Sequence, residues 1–356
     1  MLHWLNNLLI KFGRDTMAKG RPSRQTVYSR LELAIAEVRD RLGGLPSPKE
    51  SETIWTDIWH LEAHHSTAIE GNTLVLREVE TLLDQGRAVG AKPLRDYMEV
   101  TGYAEAARWV YEQALEPDDW STGGLISVNE VRRIHSLAMT PVWGVAPHEH
   151  ATDAESPGNF RQHDIAPFAE GMSPPPWPDV PAQLHDWVAD VVACGAGLDN
   201  EPPAVPLPEE LARLHNSFER IHPFLDGNGR AGRLALNLIL VRLGYPPVII
   251  FKRQRGDYLR AMQRADNGDY GPLGELIARA MFDNLNRFIV PNLAGPARLV
   301  PLAALVDQDH SVAALRQAAQ RNRLDAVQGT DGIWRSSRKA VEIYDATKFK
   351  RRPPSG

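Results

Sequence analysis

Apolar positions are patterned most sharply between residues 207 and 247. Leu211, Leu214, Phe218 and Ile221 recur at helical spacing, which predicts a helix with one buried face. Pro208 stands at its start, where the first turn tolerates a residue without an N–H. Farther on, Leu234, Leu236, Leu238, Ile239, Leu240 and Leu243 are apolar almost all round, the pattern of a helix buried on every side. Gly244 and Pro246-Pro247 end that helix. The stretch between them is polar and glycine-bearing, so the segment predicts a helix–loop–helix whose loop is aimed into a cleft.

Weaker patterns flank this one. Pro157–Ile165, with Gly158, Phe160 and Arg161 ahead of a short alternating run, reads as a small β-hairpin in a helical protein. The proline-rich segment Met172–Pro181 follows it. Near the C-terminus, Leu302–Leu305, Ser311–Arg316 and Asn322–Ala326 precede a Gly329–Gly332 turn, then Ile333–Ser337 and a helix ending at Tyr344. That order reads as helix, turn, helix and a short strand pair. A Pro/Gly/Ala break at Pro291–Ala297 precedes it. Three regions result: an N-terminal helical region over 1–117, a central core over 118–292 and a small module over 300–356. The opening Met1–Lys11 is amphipathic but too broken by polar residues for a signal peptide, and reads as an upstream extension with Met17 as an alternative start.

Composition sharpens the picture at three points. The 356 residues, 43% of them apolar, suffice for cores in two or three domains. The single Cys194 rules out an intrachain disulfide and fits a reducing, cytoplasmic compartment. No apolar run reaches the roughly 18 residues of a membrane span. A net charge of −5 argues neither way about partners. The span from His310 to Arg352 is nevertheless basic, with ten Lys/Arg against four Asp/Glu.

Candidate chemistry concentrates in the loop, His222-Pro223-Phe224-Leu225-Asp226-Gly227-Asn228-Gly229-Arg230-Ala231-Gly232-Arg233. Gly227 and Gly229 free the backbone for left-handed φ, and the following helix offers unpaired N–H groups at its start. Amides and helix dipole together make a phosphate cradle. Arg230 and Arg233, three apart, share one helical face and can fork onto phosphate oxygens. Asp226 is a hard oxygen ligand suited to Mg²⁺, which normally arrives on the phosphates. His222 has a near-neutral pKa, right for taking a proton from a hydroxyl. These are the parts that hold a nucleoside triphosphate with its metal and activate a nucleophile beside it.

The string resembles the signature His-x-Phe-x-(Asp/Glu)-Gly-Asn-Gly-Arg-x-x-Arg of Fic-domain proteins, with no departure at a defining position. The resemblance implies an all-α fold: a Fic helical bundle with a small β-hairpin flap. It implies transfer of AMP from ATP, with Mg²⁺ or Mn²⁺, onto a hydroxyl of a target protein or of the chain itself. His222 would be the general base, Asp226 the metal ligand, and Asn228 with the Gly227 and Gly229 amides a phosphate clamp. Arg230 would bind phosphate, and Arg233 the γ-phosphate. Gly229 stands where the phosphorylating Doc branch carries lysine, which implies an AMP transferase.

Other segments are similar to the same family. Ser66-Thr67-Ala68-Ile69-Glu70-Gly71-Asn72 resembles its inhibitory motif, Ser/Thr-x-x-x-Glu-Gly/Asn, placed N-terminally. Ser66 and Glu70 share a helical face, and Gly71 and Asn72 suit a helix C-terminal turn. Glu70 is expected to pair with Arg233. Phe160, Arg161, Gln162 and His163 would belong to a flap that aligns the target by strand addition. Tyr258 is a candidate wall for the adenine. The C-terminal module looks like a winged helix-turn-helix of the excisionase type, with DNA or a protein as its partner. A homodimer is left open. Two other functions stay open beside AMP transfer: removal of AMP by a Glu70-positioned water, and a DNA-binding regulator whose Fic cleft senses nucleotide.

Overall fold

A computed structural model describes residues 22–117, 124–168, 172–197, 205–293, 299–329 and 332–347. The expected N-terminal extension with Met17, the end of the basic tail and parts of the Pro291–Ala297 break and the Gly329–Gly332 turn lie outside the described residues. The chain divides into two compact units: Tyr28–Asn284, and a smaller one that joins the residues up to Val27 with those from Leu285 onward.

The larger unit is helical. Its elements are α1 (Arg24–Glu37) from Tyr28 onward, α2 (Glu52–Ile69), α3 (Leu76–Gln85), α4 (Leu94–Leu115), α5 (Val128–Trp143), α6 (Val180–Gly197), α7 (Leu207–Ile221), α8 (Asn228–Arg242), α9 (Arg255–Asp266) and α10 (Gly271–Asn284). The all-apolar α8 is the central helix: Leu234, Ala235, Leu236, Leu238, Ile239, Leu240 and Val241 are all buried. The expected division near Pro117 does not separate two units. The reason is α4, whose Val100, Tyr103, Ala106, Ala107, Val110 and Tyr111 are buried against α2, α5 and α8. At Gly102 the α4 backbone rests on α5 so closely that a Cβ would stand 2.4 Å from the Ala138 carbonyl.

Buried polar groups fix how these helices dock. The Ser127 hydroxyl caps α5 by accepting from the Glu130 N–H, and the Glu130 carboxylate accepts from the Ser127 N–H. The same carboxylate receives Arg242 from the last turn of α8 at 2.7 Å, with both side chains buried. Arg242 also donates to the Gln113, Gly124 and Leu125 carbonyls, so its charge is fully partnered. On α2, the buried Glu62 accepts from the Tyr103 hydroxyl, the Tyr111 hydroxyl and the Asn237 amide. Burial pushes its carboxyl up to about 7, against those hydrogen bonds. This network fastens the middle of α2 to α4 and α8.

The segment expected to form a hairpin, Pro157–Ile165, carries no strand among the described residues. It is an irregular loop with one backbone link farther on, from the Phe168 N–H to the Met172 carbonyl.

The smaller unit holds β1 (Val300–Pro301), a 3₁₀ turn at Leu302–Leu305, α11 (Val312–Gln320), β2 (Ala326–Gln328), β3 (Trp334–Ser336) and α12 (Arg338–Thr347). Its three strands are antiparallel in the order β1-β3-β2, with Val300 opposite Ser336 and Val327 opposite Arg335. Leu302, Leu305, Leu315, Ala318, Leu324 and Val341 form its core. Ser311 caps α11 by accepting from the Ala314 N–H at 3.2 Å.

Glu130→Ala removes one partner of a buried ion pair and leaves the Arg242 charge behind. Such a loss costs about 3–5 kcal/mol, and urea denaturation should show it. A change within the error of an exposed-site control would mean that the carbonyls alone satisfy Arg242.

Candidate active site

The loop between α7 and α8 is held in a conformation that few residues adopt freely. Helix α7 ends on His222 itself, at φ 49° and ψ 61°. A left-handed C-terminal residue is usually glycine, so the histidine carries backbone strain that its surroundings must hold. Gly227 closes the loop at φ 80°, and a Cβ there would lie 2.5 Å from the Met139 sulfur. Helix α8 then starts at Asn228 with its first amides facing the loop.

Side chains from elsewhere supply the restraint. Arg161, almost wholly buried, donates through Nε to the His222 carbonyl at 2.8 Å and through Nη1 to the His163 carbonyl at 2.8 Å. Its Nη2 reaches the Pro175 carbonyl at 2.6 Å. Backbone joins in, the Arg161 N–H donating to the Pro223 carbonyl. From α5, the His135 ring stacks on Phe224 at 3.7 Å. His135 Nδ1 accepts from the Gly158 N–H, so its Nε2 carries the hydrogen that the Asp226 carbonyl accepts at 2.8 Å. Burial pushes His135 down to about 4, which keeps it neutral in that bridging role.

The reactive groups sit on this frame. His222 Nδ1 lies 3.2 Å from the Glu219 carbonyl, an arrangement that places the proton on Nδ1 and leaves the Nε2 lone pair open. Burial lowers its pKa to about 4, so the ring is neutral at physiological pH. The Asp226 carboxylate uses Oδ1 for the Gly227 N–H at 2.6 Å and for Arg230 Nη2 at 3.3 Å. Its other oxygen takes no hydrogen bond and the side chain is partly exposed, which fits a divalent cation. Among the described residues no cluster of three or more His, Cys, Asp or Glu could hold a metal alone. A cation at Asp226 would therefore complete its shell with phosphate oxygens and water. Arg230 is buried, and its Nε and Nη1 have no hydrogen-bond partner. Nη1 has the Glu99 carboxylate 3.8 Å away, beyond hydrogen-bond distance, and a buried donor left that way suits an incoming anion.

Arg233, one turn farther along α8, is engaged by α2. Its Nε donates to the Ser66 hydroxyl at 2.7 Å, and its Nη2 donates to Glu70 Oε1 at 2.7 Å and to the Ser66 carbonyl at 3.2 Å. Burial alone would raise the Glu70 carboxyl, but the Arg233 charge outweighs it and holds that carboxyl below its ordinary value. Gly229 makes room for the contact, since a Cβ there would stand 2.6 Å from Glu70 Oε1. Helix α2 ends at this point through Gly71, at φ 107°. Asn72 anchors the turn by donating to the Asp96 carbonyl and the Glu99 carboxylate. From α9, Arg255 Nε holds the Ile69 carbonyl at 2.7 Å, one residue before Glu70.

Three expected roles change. Asn228 does not present its amide to a ligand: Oδ1 accepts from the Phe224 N–H at 2.9 Å and Nδ2 donates to the Phe224 carbonyl at 2.8 Å. It staples the loop, because a buried backbone turn must satisfy both groups. Tyr258 is no wall of an open cleft. It is buried beside Ala261 and Ala265 on the inner face of α9, its hydroxyl 2.7 Å from His215 Nε2. Arg161 and Phe160 turn inward, Phe160 lying 5.9 Å from Phe224, and only Gln162 and His163 of that segment stay exposed. Sequence reasoning missed His135, Arg255 and Glu155. The buried Glu155 accepts from the Gln162 N–H and His163 Nδ1, and those bonds overcome burial to hold it near 2.

Residues 125–240 match the Fic/DOC family model. They form a Fic-family domain. The adenylyltransferase Fic of Nematostella vectensis is 29% identical over 267 residues, 74% of this chain and 56% of that protein. That of Drosophila virilis is 26% identical over 297 residues, 82% of this chain and 56% of that protein. The chain thus spans about half the length of these curated relatives. Fic-1 from C. elegans superimposes with a TM-score of 0.55 at 25% identity, covering 74% of this chain and 72% of that one. A Fic domain containing signaling protein from Bacteroides thetaiotaomicron shares the fold, with a TM-score of 0.58 at 21% identity over 80% of this chain and 98% of that one.

Asn228→Ala separates a staple from a clamp. It strands a buried N–H and a buried C=O of Phe224, which should cost about 2–4 kcal/mol of unfolding free energy, measured by urea denaturation. A variant as stable as the parent, with only its ATP affinity reduced, would restore the clamp.

Proposed function

We propose that this Fic-domain chain is a protein adenylyltransferase held inactive by the end of its own α2. The observation that carries the reading is the Glu70 carboxylate bound to Arg233 beside the Gly227–Gly229 turn. The names of the relatives support the class of reaction. ATP is the co-substrate and a protein hydroxyl, on a target or on the chain itself, is the acceptor.

The residues divide the work as follows. The triphosphate lies against the amides at the start of α8, with Arg230 and Arg233 turned to its oxygens. Asp226 would hold the Mg²⁺ that accompanies ATP and neutralises phosphate charge. The neutral His222 accepts the proton of a Ser, Thr or Tyr hydroxyl on Nε2. That oxygen forms a bond to the α-phosphorus while the bond to the bridging oxygen breaks and pyrophosphate leaves. Exposed Gln162 and His163, on the loop that Arg161 ties to His222, are placed to align the acceptor segment. With Glu70 on Arg233, the γ-phosphate lacks its partner and the α-phosphorus is turned from the line of attack, a misplacement that costs orders of magnitude in rate. The partly exposed single Cys194 fits a reducing compartment, and we place the activity in the cytoplasm. No helix among the described residues is long and apolar enough to cross a membrane.

Sensing a nucleotide would require neither a neutral base nor an open carboxylate oxygen, so the regulator reading is the weaker one for this unit. Removal of AMP uses the same groups, and incubating AMP-modified protein with wild type and with Glu70→Gln tests it.

Transfer is measured with ATP labelled at the α- or the γ-phosphate. Wild type should be nearly silent, and Glu70→Gly should incorporate α-label, but no γ-label, at least tenfold faster. Glu70→Gln should be released as well, because it removes the charge and keeps the helix. If the glutamine variant is as silent as wild type while the glycine variant is active, the block is steric. Incorporation of γ-label overturns the reaction class. Arg233→Ala should not release activity, since brake and phosphate partner go together.

In the Glu70→Gly background, His222→Ala should lower transfer by on the order of 10²–10⁴-fold and leave ATP binding intact. The base works in its neutral form, so a pKa lowered to about 4 moves the acid limb of kcat/KM downward. Between pH 8 and 6 the profile should stay flat, whereas an unperturbed histidine would lose about fourfold by pH 6. A limb near 6.5 would mean that His222 is not the base.

A further inference from the structure

The smaller unit carries a helix face that the transferase reading leaves unused. Helix α11 buries Leu315, Ala318 and Ala319 and exposes Ala313, Arg316, Gln317 and Gln320. The exposed four stand at i, i+3, i+4 and i+7, one continuous stripe along the helix. Arg321 and Arg323 extend it, and both are exposed. From Ser311 to Leu324 there are three arginines and no Asp or Glu. Arg316 and Arg321 make no ion pair among the described residues, so their charge is not neutralised within the unit.

The face is held rigidly. The turn before α11 is pinned by His310, whose Nδ1 meets Asp307 at 2.8 Å and whose Nε2 meets Asp345 of α12 at 2.9 Å. Both carboxylates raise its pKa, against burial. After α11 comes the β2–β3 pair, with Val327 exposed. A short 3₁₀ helix, a pinned turn, a capped helix and a strand pair follow one another in the order of a winged helix-turn-helix.

We propose that α11 is a recognition helix and that its occupant is double-stranded DNA. The stripe matches the chemistry of the major groove, which is wide enough for one α-helix. Gln317 forks onto the adenine edge, while Arg316, Arg321 and Arg323 meet phosphates. Ala313 and Ala314, being small, let the first turn approach the bases. A protein partner of the usual kind would want an apolar centre with aromatic anchors, and this stripe has neither. The inference concerns the smaller unit and does not depend on the transferase reading of the larger one.

The test uses the full-length protein, with fluorescence anisotropy on a mixed-sequence 30-bp duplex. Three phosphate contacts predict a log–log salt slope near −2.7, so affinity should fall about 40-fold between 50 and 200 mM NaCl. The double substitution Arg316→Ala/Arg321→Ala should bring that fall to about fourfold or less. Gln317→Ala should keep the salt slope and lose the sequence preference found when the parent selects from a random duplex pool. Each variant is also made with Glu70→Gly and assayed for AMP transfer, which should be unchanged and shows that the larger unit is intact. Binding that survives the double substitution overturns the α11 assignment. Full-length protein without salt-dependent duplex binding overturns the DNA proposal and makes the face a protein contact. Loss of AMP transfer in every sample, with DNA binding retained, would refute the transferase reading alone.

Discussion

The Arg233 guanidinium is the point on which the larger unit turns. It lies in the first turns of α8, the most buried helix of the unit, and cannot be left without anionic or carbonyl partners there. In this structure α2 supplies them: a hydroxyl, a carbonyl and the Glu70 carboxylate. Other features serve that contact. Gly229 leaves the space in which the carboxylate sits, Gly71 ends α2 beside it, Asn72 ties the turn to α4, and Arg255 holds the carbonyl one residue earlier. One cation therefore joins α8 to the end of α2, and Nε and Nη2 are the donors that α2 occupies.

A second constraint is the strained loop before α8. A left-handed histidine persists only when its neighbours over-determine it. Arg161 does so from one side with four carbonyl contacts, and His135 from the other through a ring stack and a bridging hydrogen bond. Within the loop, Asn228 closes both backbone groups of Phe224. His222 is thus placed by groups that come from other elements of the fold. Their rigidity suits a reaction whose rate depends on alignment.

The helix–loop–helix was legible because its apolar periodicity is unbroken over four turns on either side of the loop. The contact of Glu70 with Arg233 was legible only through a family resemblance, since 163 residues separate the two and no local pattern links them. Arg161 shows why its loop was misread. A run with a glycine, an aromatic residue and alternation suggests strands, yet the segment is tied outward instead: Arg161 reaches the Ile221, His222 and Pro175 carbonyls, and Glu155 takes the Gln162 N–H. His135 gave a faint signal, being the polar residue on a helix face otherwise built from Val131, Ile134, Ala138 and Met139. Tyr258 could have been read correctly from its own helix, for Ala261 and Ala265 at i+3 and i+7 mark an inward face. The break before the C-terminal module was legible near Pro291, but the unity of the chain across Pro117 was not, because the burial of α4 against α5 and α8 is a tertiary fact.

Under the function proposed above, magnitudes decide which part of α2 moves when a nucleotide takes the place of Glu70 on Arg233. A tenfold suppression needs the seated state to be favoured by about 1.4 kcal/mol. An exposed ion pair supplies about 0–1 kcal/mol, and a hydrogen bond to a charged group about 1.5–3 kcal/mol. Arg233 is buried while the Glu70 side chain is 40% exposed, so their contact falls between these limits and is of the required size. Undocking α2 as a whole is far costlier. It would strip Tyr103, Tyr111 and Asn237 from the buried Glu62 and expose Ile54, Trp55 and Ile58. Burying each of those apolar side chains contributes about 1.5–3 kcal/mol. The economical motion is local: Glu70, just past the helix, swings on Gly71 while Glu62, Asn72 and Arg255 hold the rest. The proposed brake is weak enough for one bound ligand, or one substitution, to release.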